Sequence, residues 1–167
     1  KTLKCEILII GAGPAGASLA AYLSVEGMEC ILIDRKKRID TPLRCAEYVP
    51  AAIGGLFKGP IAGISCSIIS MDTYIDYKYA NTMASPGFML DRPVFLQSLV
   101  NDFKQNGGKF MPCSKAVSFD IENKGNIILD SDRNNAVQGK SRENNAGMIS
   151  TVIKGPGGEK SIIRSKL

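Results

Sequence analysis

The chain has no histidine and no tryptophan. The first absence removes the imidazole acid or base, the histidine metal site and every histidine-centred catalytic triad. Chemistry must therefore come from cysteine, tyrosine, lysine, a carboxylate or a cofactor. The five cysteines, at 5, 30, 45, 66 and 113, are odd in number and no two are spaced Cys-x-x-Cys. That argues against a zinc site and against a disulfide scaffold, and for reduced thiols in a cytoplasmic protein. No apolar run reaches the ~18 residues that a membrane span needs. Residues 7–23 come nearest but are broken by three glycines and a proline, and the basic flank and cleavage site of a signal peptide are missing.

What remains is an ordinary globular composition. Hydrophobic residues are 44% and charged residues 22% of 167, enough for one domain with a real core. Net charge is +5. Arg35-Lys36-Lys37-Arg38 supplies a tight basic run, read either as a solvated loop or as a contact with a phosphate or a membrane surface. It is short, no basic helix follows it and no aromatic strand motif accompanies it, which speaks against nucleic acid. There is no internal repeat and no linker.

Cys5 to Ile10 is a short apolar run ending at glycine and predicts a buried parallel strand. Pro14 to Glu26 predicts a helix, with proline at its first position, Leu19, Ala20 and Leu23 at helical spacing, and Gly27 at the C-terminal cap. Cys30 to Asp34 is a second apolar strand. Residues 35–60 read as loop, with a short helix near Glu47 to Leu56. Ile64 to Leu90 carries β-branched and aromatic residues without helical period and predicts two or three antiparallel strands. A second helix is predicted over Arg92–Asn106, capped by Asp91 and carrying the stripe Phe95, Leu99, Phe103. Strands are expected near Lys109–Pro112, Ala116–Ile121 and Asn126–Leu129. A mobile loop is expected over Ser131–Gly147, and a hairpin over Met148–Lys154 and Ser161–Lys166 around Gly155-Pro156-Gly157-Gly158.

Gly11-Ala12-Gly13-Pro14-Ala15-Gly16 has the form G-x-G-x-x-G. Alone the string says little. Here it follows a strand, opens a helix, and is followed by a second strand ending in Asp34, 18 residues past Gly16, as a dinucleotide site requires. Gly11 makes the turn out of the strand, Gly13 lets a pyrophosphate reach the backbone, and Gly16 lets helix and sheet pack closely. The helix N-terminus offers free N–H groups and partial positive charge. Asp34 suits a ribose and repels a 2′-phosphate, which disfavours NADP. The unit alone leaves FAD and NAD open; Pro14 and the N-terminal position of the motif tilt toward FAD.

Two further strings complete the picture. Thr41-Pro42-Leu43-Arg44-Cys45-Ala46-Glu47 follows the second strand, and Met89-Leu90-Asp91-Arg92-Pro93-Val94-Phe95-Leu96 opens the second helix. With the fingerprint, these resemble the geranylgeranyl reductase family of flavoproteins, nearest its archaeal-type branch. The family reads P-x-R-C-G/A-E after the acidic strand, then an arginine opening the next helix. The resemblance implies FAD contacts at Ala15, Asp34, Cys45, Ala46 and Arg92, and a backbone contact at Ala116, beside the glycine loop and the flanking Arg35 and Arg44. Where the family has glycine, this chain has Tyr48, which would crowd the flavin edge. The family's chains are more than twice as long, so the sequence resembles an amino-terminal fragment.

The expectation is an α/β, Rossmann-like FAD-binding domain with an inserted antiparallel β segment. Its parts would be a βαβ unit and following loop over 1–45, the β insertion over 61–90, helix and strands over 91–130, a loop over 131–147 and a hairpin over 148–167. The resemblance implies FAD-dependent reduction of C=C bonds in geranylgeranyl chains of membrane lipids, with an isoprenoid lipid substrate and an unidentified electron donor. It also implies peripheral contact with the inner face of the cell membrane. Cys45, beside Arg44, is the candidate catalytic thiol, its thiolate favoured by that cation. The rivals are an FAD-dependent monooxygenase or quinone-linked flavoprotein dehydrogenase on the same scaffold, and an inactive fragment that binds FAD weakly.

Overall fold

The computed structural model describes residues 1–39, 47–57, 59–121, 125–128 and 148–166. The chain divides into two units, one of Lys1–Ile39 with Asp102–Leu167, the other of Asp40–Asn101.

In the first unit, β2 (Ile7–Ile10), β3 (Cys30–Ile33) and β7 (Lys109–Met111) form a parallel sheet in the order β2-β3-β7. All four residues of β3 are buried, the position for which an unbroken run of apolar residues is suited. Helix α1 (Pro14–Val25) joins β2 to β3. Its buried residues are Ala17, Ala20 and Ser24, whereas Leu19 is 47% exposed. Of the expected stripe Leu19, Ala20 and Leu23, Ala20 is buried and Leu23 half-buried, and the buried face is centred on small residues. The reason is Gly16, where a Cβ would collide with the Gly11 carbonyl oxygen and lie 3.4 Å from Ile9 Cγ2. At so close an approach only small side chains fit between helix and sheet. Gly27, at φ +76°, ends the helix as expected, with its N–H on Ser24 and that of Met28 on Leu23.

A second sheet in this unit has the order β1-β11-β10-β8-β9, built from β1 (Thr2–Lys4), β8 (Lys115–Ile121), β9 (Gly125–Ile128), β10 (Met148–Lys154) and β11 (Lys160–Lys166). The hairpin predicted over 148–166 is present, and β10 also pairs with β8. The expected first strand, Cys5–Ile10, is shortened to Ile7–Ile10, and a separate strand that was not expected precedes it. Thr2–Lys4 pairs with β11, the Cys5 N–H donates to the Arg164 carbonyl, and only from Ile7 does the chain enter the parallel sheet. Ile31 and Ile33 from the parallel sheet and Ile153 and Ile163 from the other form one buried cluster with Cys5, flanked by Leu3, Leu8, Met111 and Ala116.

In the second unit, β4 (Tyr48–Pro50), β6 (Lys78–Leu90) and β5 (Ile64–Ile75) form an antiparallel sheet in the order β4-β6-β5. The β5–β6 turn is Asp76-Tyr77, both at positive φ, the tight hairpin geometry that matches strand twist. The short helix expected near Glu47–Leu56 is present only over its second half, and as a 3-10 helix. Strand β4 gives way to a 3-10 helix, Ala51–Leu56. Pro50 and the pair Gly54-Gly55 oppose a longer α-helix here. Helix α2 (Arg92–Gln105) begins in the second unit and ends in the first. Its capping by Asp91 is as expected, with the Val94 N–H on Asp91 Oδ1 at 3.1 Å. Phe95, Leu99 and Phe103 are all buried. The loop expected over Ser131–Gly147 lies outside the described residues.

Candidate functional site

The glycine loop is fixed at both ends by backbone bonds. Gly11 donates to the Ile33 carbonyl at 2.8 Å, and Ala17 makes the first bond of α1, to the Gly13 carbonyl at 2.9 Å. Gly11 has φ +102°, a conformation in which a side chain would be strained. Ala15 and Gly16 precede Ala17, the first intrahelical donor, so their N–H groups are the free donors of the helix end. The Gly13 N-cap makes no side-chain hydrogen bond, and the first turn has no acid. An anion there meets amide donors and the positive end of the helix dipole without a competing carboxylate.

Gly13 is the open part of this cradle. It has φ −73°, which any residue adopts, and a Cβ built on it meets nothing within 4 Å. The protein itself therefore does not require glycine here, whereas it does at Gly16. The space over Gly13 fits a group brought from outside, which is the form a pyrophosphate site takes. Pro14 and Ala15 are exposed beside it, and Ala12 is buried beneath.

Asp34 extends from the end of β3. Its Oδ2 accepts the Ala12 N–H and its Oδ1 the Lys36 N–H, each at 2.7 Å. A carboxylate has lone pairs beyond these two bonds, so the residue can both tie the loop to the strand and accept a ribose hydroxyl. The first of these roles was not foreseen from the sequence. Arg35 is exposed next to it. The backbone of the same segment holds the approach to β8, with Ser114 N–H on the Asp34 carbonyl at 2.8 Å and Cys113 N–H on the Lys36 carbonyl at 3.1 Å. Ala116 follows, half-buried against the core cluster.

The other sequence-predicted residues belong to the second unit. Arg92 is half-buried at the start of α2. Tyr48 lies in β4, its ring over Gly87 and its hydroxyl donating to the Ser85 carbonyl at 3.2 Å. Gly87 leaves the space that this ring fills. Arg44, Cys45 and Ala46 lie outside the described residues. Of the other thiols, Cys5 and Cys30 are buried, Cys113 is partly so and Cys66 is exposed. Burial, with the neighbouring Cys30 and Glu29, pushes the Cys5 thiol up to about 11, and burial together with Glu6 raises that of Cys30. Both are held in the unreactive neutral form. Among the described residues no helix is long and apolar enough to cross a membrane, and no group of three or more Cys, Asp or Glu side chains could hold a metal ion.

Residues 4–49 match the family model of an FAD-binding domain, so FAD is the cofactor to which this glycine loop belongs. The chain is 34% identical over 125 residues to a digeranylgeranylglycerophospholipid reductase of Methanosphaerula palustris, covering 71% of this chain and 31% of the relative. It is 30% identical over 148 residues to digeranylgeranylglycerophospholipid reductase 1 of Methanosphaera stadtmanae, covering 78% and 34%. The chain thus spans about a third of the length of the curated relatives it matches. Among solved structures, a geranylgeranyl bacteriochlorophyll reductase-like protein from Thermoplasma acidophilum superposes with a TM-score of 0.70 at 17% identity, over 99% of this chain and 38% of that one. A p-nitrophenol 4-monooxygenase from Pseudomonas putida gives 0.68 at 15%, over 99% and 40%. At such identities the two structures show a common fold and nothing narrower. The resemblance read from the motifs, the α/β class and the FAD assignment are all borne out.

Proposed function

We propose that this chain, a homologue of the geranylgeranyl reductase family of flavoproteins, supplies the adenosine–pyrophosphate half of the FAD site in an enzyme that reduces C=C bonds of geranylgeranyl chains on membrane lipids. Bound FAD supplies the two-electron redox chemistry, and a proton completes the addition of two hydrogens across each double bond. The chain's own residues bind and orient. The amides of Ala15 and Gly16, with the open face of Gly13, take the pyrophosphate; Asp34 takes the ribose; the Ala116 backbone takes the adenine end. Arg35, Arg44, Ala46 and Arg92 would add contacts along the cofactor, and Cys45 would stand at the flavin and move a proton there. Tyr48, whose ring and hydroxyl are engaged by Gly87 and Ser85, would contribute through its backbone.

The likeness to the lipid reductases over most of this chain carries the reading, and the Gly13 cradle fits the cofactor it calls for. The substrate would be an isoprenoid lipid, the electron donor an unidentified partner, and the site of action the cytoplasmic face of the membrane. The test is made on the protein extended to the length of its relatives. Incubated with chemically reduced FAD and a geranylgeranylated glycerophospholipid without oxygen, it should give products heavier by one H2 per double bond. Oxygen-dependent hydroxylation with NAD(P)H consumption, and no saturated product, would overturn the reading in favour of a monooxygenase.

A further inference from the structure

The strand register sets three lysines side by side. Lys115 of β8 lies opposite Lys154 of β10, and Lys154 lies opposite Lys160 of β11. Opposed residues share a face, with Cβ atoms about 4.5–5.5 Å apart, and like charges in such positions disfavour the sheet. All three lysines are exposed, and among the described residues none forms an ion pair. Nothing in the hydrophobic core calls for this arrangement.

The row continues into a second basic segment of the same unit. Cys113 and Ser114, immediately before Lys115, donate to the carbonyls of Lys36 and Asp34. The ladder is therefore fastened to the run Arg35-Lys36-Lys37-Arg38, of which Arg35, Lys37 and Arg38 are exposed. Residues 34–39, 113–116 and 154–160 contain two carboxylates. That of Asp34 accepts the amides of Ala12 and Lys36, and that of Glu159 lies against Gly155 in the β10–β11 turn.

We propose that the Lys115–Lys154–Lys160 ladder, with Lys37 and Arg38 of the adjoining run, forms a docking surface for an anionic lipid bilayer. Clusters of four to eight Lys and Arg residues are the pattern by which proteins hold to anionic leaflets. Residues 34–39, 113–116 and 154–160 contain no aromatic residue, so this surface lacks both the stacking groups used on single-stranded nucleic acid and the buried aromatic anchors of a protein interface. An array of hydrated point charges suits a plane of phosphates. The inference rests on the reading that the substrate is a membrane lipid, and it names the part of the molecule that would meet that membrane.

The test is co-sedimentation of the full chain with phosphatidylcholine vesicles, with and without phosphatidylglycerol. Binding should require phosphatidylglycerol and weaken with salt. The triple variant Lys115→Gln, Lys154→Gln, Lys160→Gln should bind about tenfold or more weakly. Lys4→Gln, Lys78→Gln, Lys109→Gln removes the same charge elsewhere and should change binding by less than about threefold. If the ladder triple does not fold by circular dichroism, the pair Lys37→Gln, Lys115→Gln reads the same surface. Absence of binding, equal binding to phosphatidylcholine alone, equal losses in the two triples, or displacement by inorganic phosphate at constant ionic strength would each overturn the proposal. Vesicle binding is read without turnover, so its failure leaves the reductase reading intact, and absence of prenyl reduction leaves the surface intact.

Discussion

The Ala12 amide donates to Asp34 Oδ2 at 2.7 Å, and this bond ties the phosphate-binding loop to the strand that carries the ribose acceptor. The acid at the end of β3 thus shapes the loop before any cofactor arrives. Asp34→Ala removes acceptors from the Ala12 and Lys36 amides together. Each hydrogen bond to a charged group contributes about 1.5–3 kcal/mol, so thermal denaturation should show a clear loss of stability and titration a loss of FAD affinity. Asp34→Asn keeps one side-chain acceptor and should recover part of the stability. A stable Asp34→Ala protein with unchanged FAD affinity would deny Asp34 both roles.

Gly16 and Gly13 stand three residues apart and answer to different neighbours. At Gly16 a Cβ meets the Gly11 backbone, so Gly16→Ala must push α1 off the sheet. Overpacking of this kind costs about 1–3 kcal/mol. The melting temperature should fall with or without FAD; an unaltered melt would show that helix and sheet can separate freely at this point.

The buried thiols give the chain an alkaline limit. Cys5 is raised from 9.0 to about 11 in the folded chain, chiefly by burial. Below 9.0 both folded and unfolded chains hold the proton and the contribution is whole. As pH rises from 9.0 toward 11, the unfolded chain ionises first and stability is lost. Denaturant titrations between these values should show the decline, and Cys5→Ala should make it shallower. The exposed Cys66 should react with iodoacetamide well before Cys5 or Cys30; prompt labelling of Cys5 in the folded chain would contradict the burial.

Cys45, if it stands at the flavin, should matter more to chemistry than to affinity. In the protein extended to the relatives' length, Cys45→Ala should shift the flavin absorbance or slow prenyl reduction, while FAD binding weakens only modestly. Unchanged spectrum and rate would make Cys45 a packing residue.

The parts of this fold that were legible in the sequence are those with local causes. The apolar runs ending at Gly11 and Asp34, the Asp91 cap ahead of Phe95, Leu99 and Phe103, and the Gly-Pro-Gly-Gly turn each announce themselves within a few residues. Thr2–Lys4 did not, because three mostly polar residues become a strand only by pairing with Ile162–Arg164 at the other end of the chain. The Asp76-Tyr77 turn lacks the glycine that marks most tight hairpins, so the boundary between β5 and β6 was hidden. The buried face of α1 is legible only in part: Ala20 lies in it, but the closeness enforced at Gly16, which turns Leu19 outward, is a distance and not a period. At the site, the glycine loop and Asp34 could be read from spacing, whereas the Ala12–Asp34 bond and the open space over Gly13 needed the folded backbone.

The central claim is that the loop over Gly13 holds the pyrophosphate of FAD, and calorimetric titration of Gly13→Val against the parent, both extended to the relatives' length, tests it most directly. The valine meets no atom of the protein within reach of its Cβ and sits at an ordinary φ. The account predicts an unchanged circular dichroism spectrum and FAD binding weaker by at least about tenfold, or about 1.4 kcal/mol, with the parent binding FAD far more tightly than NADPH. Full FAD affinity in a folded Gly13→Val protein would contradict it.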